Sequence, residues 1–275
     1  MRLSLLGVLG CPDCGGDLKF AVLDAYPRHD QEVEAATLGC TRCAREFPVE
    51  DGVPRLRANG APEPRRAAAA DARERGSLPA EQQALLDATL LGADDFAGKL
   101  VLDASGGAGR RAVVARSLGA DLVVLDSFAG LKAVAERAKE DPRLHPVEGD
   151  LARPPFKAAV FDAAVCLDAL SRENLPRASF KALAATVKSR GALAVRVAGR
   201  AGSYAEFSSN PPEPGEKPRR GRLAWLAAVF AGLGRPRGAT KDELSRWFLD
   251  EGFVVHRVRV AGLVPAPSAL GRKGR

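Results

Sequence analysis

The stretch LVLDASGGAGRRAVVA, residues 100–115, constrains this chain more than any other. An apolar run passes through a glycine-rich turn into an Ala/Val-rich run, the pattern by which backbone amides approach a nucleotide closely. Gly107, Gly109 and Ala112 satisfy the G-x-G-x-x-[GA] dinucleotide fingerprint, yet an acid, Asp103, closes the strand ahead of them. That acid would repel a pyrophosphate but could serve an ammonium group. Strand and helix signals then alternate. Residues 121–127, 143–150, 160–168, 191–199 and 253–262 read as strands, and 110–118, 128–140, 172–189 and 240–251 have helical composition. Alternation of this kind predicts a doubly wound α/β sheet with mostly parallel strands.

The N-terminal part reads differently. Four of the five cysteines form two pairs, Cys11-Pro-Asp-Cys14 and Cys40-Thr-Arg-Cys43. Two residues between thiolates let one tight turn present both sulfurs to one metal, and two such knuckles complete a tetrahedral zinc shell. Short strands around residues 18–25 and 32–39 make the expected unit a small β-rich zinc ribbon. Two disulfides, or a redox pair, are the competing readings. The N-terminus carries no secretory pattern, which argues against disulfides and leads us to expect a cytoplasmic protein. Cys166 sits in an apolar run and reads as a core residue.

A chain of 275 residues, 46% hydrophobic, can bury one large core and a small one. The longest apolar candidate, 223–234, falls well short of the ~20 residues a membrane helix needs, so no membrane partner is expected. Residues 57–75 are rich in Ala, Pro, Gly and charge and read as a linker. The expected organisation is a ribbon over 1–56, that linker, a second domain over 76–265 and a basic tail over 266–275. Within the second domain, 199–239 is too long for a simple connection and is the candidate substrate lid. The formal charge of +7, with basic clusters at 216–222, 234–238 and 271–275, favours a polyanionic or acidic partner.

Two segments resemble known families. CPDCGGDL, followed by LGCTRCAREFPVEDGVPRL, resembles the Trm112-like zinc ribbon over about residues 3–56, with Phe47, Pro48, Val49, Asp51, Gly52, Val53 and Pro54 filling its ending. Asp103, Ser105, Gly107 and Gly109 form D-x-S-x-G-x-G, which resembles the first motif of class I S-adenosylmethionine-dependent methyltransferases, a likeness that continues to about residue 262. The resemblance implies a seven-stranded Rossmann-like methyltransferase sheet behind the ribbon. It also implies roles for residues. Asp103 would serve the methionyl ammonium, Asp126 and the adjoining Ser127 the ribose, Asp150 the adenine amino group, and Leu151 the adenine ring. Ser105 departs from the glycine most common at its position; at positive φ it would be strained and the site weakened.

Asp168, just after the fourth strand of that sheet, is the candidate catalytic residue facing an acceptor, with a helix N-cap as the plainer alternative. SSNPPEP at 208–214 follows the fifth strand and lacks the aromatic of an N-P-P-[YF] site, so it reads as a loop. His29, His145 and His256 have no partner spacing and read as structural. Two functions are carried forward. One is methyl transfer from S-adenosylmethionine to RNA or a small metabolite. The other is a scaffold with a weakened cofactor site. No oligomeric state is readable.

Overall fold

The computed structural model describes residues 1–23, 33–61, 77–105, 109–167, 169–173, 175–197, 239–261 and 266–273. A short 3-10 turn, Leu3–Gly7, leads into an antiparallel sheet of β1 (Leu18–Leu23), β2 (Ala36–Cys40), β3 (Glu46–Glu50) and β4 (Val53–Pro54), in that spatial order. In β3, Phe47 and Val49 are buried while Glu46 and Glu50 are exposed, the period-2 alternation of a sheet with one covered face.

The larger sheet is built from β5 (Leu100–Asp103), β6 (Asp121–Asp126), β7 (Leu144–Glu148), β8 (Phe161–Leu167), β9 (Val187–Arg196), β10 (Phe253–Ala261) and β11 (Ala266–Lys273). Its order is β10-β11-β9-β8-β5-β6-β7. The pairs from β7 across to β9 are parallel, and β11 runs antiparallel to both β9 and β10. The central strands read as continuous apolar runs because both of their faces are covered. Helices α1 (Leu78–Thr89), α2 (Arg110–Ser117) and α3 (Phe128–Ala138) share a buried core with one face; α4 (Pro176–Ala185) and α5 (Lys241–Asp250) share a core with the other. A capping box starts α5: Thr240 Oγ1 accepts the Glu243 N–H at 3.1 Å, and Glu243 accepts the Thr240 N–H at 2.9 Å. No described helix is long and apolar enough to cross a membrane.

The expected basic tail is corrected at 266–273, which form strand β11 between β9 and β10. Pro267, Gly271 and the basic residues disguise it locally. Its pairing on both sides, Leu270 with Ala194 and Ala269 with Val258, specifies it instead.

Strand order reverses at β5. The chain runs β5, β6, β7 outward on one side and returns to place β8 and β9 on the other. In open α/β sheets, ligands bind at the carboxyl ends of the strands beside such a point.

The ribbon docks on the larger sheet. The crossover from β7 to β8, residues 149–160, contains no helix, although parallel strands are ordinarily joined through one. The ribbon takes up that place. Leu9 bridges to Phe156, the Gly10 N–H donates to Pro155 O at 3.0 Å, and the Lys157 N–H donates to Val8 O at 2.9 Å. Leu5, Leu9 and Phe47 share one buried core with Leu125, Val147, Phe156 and Phe161. Beyond β4 the chain then covers the edge of β7. Arg55 forms a parallel bridge with Glu148, and the Leu56 N–H donates to Glu148 O at 2.9 Å.

Candidate functional site

Three of the expected residues end successive strands on one side of the reversal. Asp103 closes β5, Asp126 closes β6, and Asp150 follows β7. Asp103 is in register with Val124, and Asp126 with Glu148. Each acid therefore stands two residues further along the sheet than the one before it. Because side chains alternate along a strand, this stagger assigns Asp103 and Asp126 to the same face of the ladder, and Asp150 follows two residues past the end of β7.

Asp103 is buried, and its Oδ1 accepts the Ser105 N–H at 3.0 Å, with the Arg111 guanidinium 4.0 Å away. Ser105 is buried as well. Its Oγ accepts the Leu167 N–H at 2.9 Å and lies 3.5 Å from Val165 O, so the hydroxyl joins β5 to β8 beyond the backbone ladder. Ser105 is not among the residues at positive φ, and the strain considered for this serine is therefore not present. Gly109 does take positive φ, +81°, at the start of α2. A Cβ there would lie 3.1 Å from Val134 Cγ2, so this glycine also lets α2 and α3 approach. Gly107 and Asp168 lie outside the described residues.

Asp126 turns its carboxylate back over the first turn of α3, where Oδ1 accepts the Ser127 N–H at 2.7 Å. It lies so close over Gly130 that no Cβ would fit. Gly130 was absent from the sequence-based site; a glycine in the first helical turn after the strand-end acid is the signal for it. Ser127 starts α3 through its carbonyl, which accepts the Gly130 N–H at 2.9 Å.

Asp150 is partly exposed and Leu151 is buried. The Ala58 N–H donates to Asp150 Oδ2 at 3.3 Å, and Arg57 Nε stands 4.0 Å from Oδ1. Burial pushes the Asp150 carboxyl above its usual range against the pull of the Ala58 N–H, Arg57 and Arg153. The connector after the ribbon thus touches the expected adenine position, which its Ala/Pro/Gly composition does not reveal.

The four cysteines come together. Cys11 and Cys43 sulfurs lie 3.7 Å apart, Cys14 and Cys40 sulfurs 3.5 Å apart, and all four ligand atoms fall within 4.8 Å of one another. A tetrahedron of Zn–S bonds of about 2.3 Å has edges of about 3.8 Å, so the set fits a zinc ion. Gly16 keeps the cradle open, since a Cβ there would lie 2.9 Å from Cys40 Sγ and 3.3 Å from Cys14 Sγ. Burial disfavours the Cys40 thiolate, but the N–H groups of Cys43 and Arg42 outweigh it and bring the pKa down to about 6. Burial pushes Cys11 up to about 12. Cys166 is buried in the core, with its Sγ 3.5 Å from Ala104 O.

His145 is buried and pairs with Asp121, with Nε2 2.9 Å from Oδ1. His29, the side chain of His256, the proline-rich loop and nearly all of the expected lid lie outside the described residues.

Strand order and reversal point are those of an S-adenosylmethionine-dependent methyltransferase fold, and comparisons with known proteins agree with that fold. An S-adenosylmethionine-dependent methyltransferase from Mesorhizobium loti aligns at TM-score 0.52 and 17% identity, over 72% of this chain and 100% of that one. A sarcosine dimethylglycine methyltransferase candidate from Galdieria sulphuraria aligns at TM-score 0.51 and 12% identity, over 72% and 84%. No curated protein sequence matches. Residues 102–195 match the methyltransferase domain family, and residues 2–52 match the Trm112p-like protein family. The chain thus carries a methyltransferase domain behind an N-terminal Trm112p-like domain.

Proposed function

We propose that the crevice at the carboxyl ends of β5, β6 and β7 binds S-adenosylmethionine and that the chain transfers its methyl group to RNA or a small metabolite. The staggered placement of Asp103, Asp126 and Asp150 beside the strand reversal carries this reading. Asp103 faces the methionyl ammonium. Asp126 accepts from the ribose hydroxyls, with Ser127 beside it. Asp150 accepts from the adenine amino group while Leu151 lines the ring. Ser105, Gly107 and Gly109 shape the turn along which the backbone approaches the ligand.

When bound, the cofactor supplies an electrophilic methyl group on a sulfur that leaves as a neutral thioether. No protein acid is needed to assist that departure, so orientation of the two reactants supplies much of the acceleration. The residues here bind and align. Asp168, next in sequence after β8, is the candidate on the acceptor side. Cys11, Cys14, Cys40 and Cys43 hold a structural zinc ion. The +7 charge supports RNA over an uncharged acceptor. The scaffold alternative drew its motive from strain at Ser105, which has ordinary φ.

Purified protein incubated with methyl-labelled cofactor and either total RNA or small-molecule extract of the source cell tests the acceptor. Label in RNA supports that class, and label in the small-molecule fraction assigns the other. Label in neither returns the scaffold reading.

A further inference from the structure

Asp13 stands between the two cysteines of the first knuckle, yet its carboxylate is directed away from the metal set. Its Oδ1 accepts the Asn59 N–H at 2.8 Å and lies 3.6 Å from the Arg153 guanidinium, while Oδ2 pairs with Arg45. Arg45 also donates to Arg57 O at 3.1 Å. The ribbon thereby grips residues 57–59 at both ends. From the methyltransferase side, Asp150 accepts the Ala58 N–H, and Arg153 donates to Asn59 O. Ala58, between the two sets of contacts, is buried.

We infer that Asp13 is a positioning residue for the adenine end of the crevice. By fixing residues 57–59 it aims the Ala58 N–H at Asp150, and so selects ligands that carry an amino group on the purine. This inference rests on the reading of Asp150 as the adenine acceptor. With Oδ2 held by the Ala58 N–H and Arg57 Nε 4.0 Å from Oδ1, Asp150 is held in one orientation, and Oδ1 can still accept from a ligand. An exocyclic amino group can donate to that oxygen. The carbonyl of a hypoxanthine ring would meet it with lone pairs instead. An Asp150 released from the connector could turn aside and tolerate either base.

The test compares S-adenosylhomocysteine with S-inosylhomocysteine by calorimetry on the zinc-loaded full chain. The wild type should prefer the adenine ligand about 10- to 100-fold, the value of one hydrogen bond to a charged group. Asp150→Ala should abolish the preference. Asp13→Ala should reduce it at least ~5-fold, and Asp13→Asn, whose amide oxygen still accepts the Asn59 N–H, should restore most of it. If Asp13→Ala loses zinc or fails to fold, Arg153→Ala decides in the same way, since it frees Asn59 O and leaves the knuckle intact. Full preference in both Asp13→Ala and Arg153→Ala would overturn the inference while leaving the Asp150 reading in place. A wild type without preference, or an Asp150→Ala variant that keeps it, would overturn the Asp150 reading, and the inference with it.

Discussion

The Ser105 hydroxyl accepts the Leu167 N–H at 2.9 Å, tying β5 to β8 where the strand order reverses. Ser105→Ala leaves that buried N–H without its acceptor, and the expected loss of stability is about 1–3 kcal/mol. Urea unfolding of the two proteins measures it. Equal midpoints and slopes would mean that the bond contributes nothing and that serine is merely tolerated at this position.

The ribbon fills the place of a crossover helix, so it should unfold together with the methyltransferase domain. Leu9 is fully buried against that domain, and Leu9→Ala should cost about 2–5 kcal/mol. Calorimetric scans should show one coincident transition in the wild type, shifted down as a whole by Leu9→Ala or by zinc chelation. Two separate transitions, only one of which moves, would show that the units are energetically independent.

These two contacts mark how far the sequence could be read. Strands β5, β6 and β8 were legible because strands covered on both faces are apolar through their centres, and Asp103 and Asp126 were legible as acids closing such runs, with Asp150 two residues past β7. The four cysteines were legible because metal spacing is local. The docking of Leu9 on Phe156 was not, since a hydrophobic residue near the N-terminus does not announce its partner. Strand β11 was missed for the same reason, being specified by its neighbours rather than by Pro267 and Gly271. The grip of Asp13 on Asn59 links positions far apart in the chain, and no periodicity encodes it.

Arg116 Nε donates to Asp141 Oδ2 at 2.7 Å, and its NH2 group donates to Oδ1 at 3.0 Å. Burial opposes ionisation of Asp141, but Arg116 and the Arg143 N–H prevail and hold its pKa below the usual carboxylate value. An acid depressed by folding adds stability that is complete above its unfolded pKa, near 3.9, and is lost as pH falls through the folded value. Asp141→Asn should therefore destabilise the protein at pH 7 and lessen its further loss of stability below about pH 4. Parallel stability–pH curves for the two proteins would contradict this pairing.

Calorimetric titration of the zinc-loaded chain with S-adenosylhomocysteine tests the central claim most directly. The account predicts one site per chain, no measurable binding of NAD, and a loss of about 30- to 150-fold in affinity in Asp126→Ala, which removes a charged acceptor worth roughly 2–3 kcal/mol. A folded, zinc-loaded protein that binds neither S-adenosylhomocysteine nor S-adenosylmethionine would contradict it.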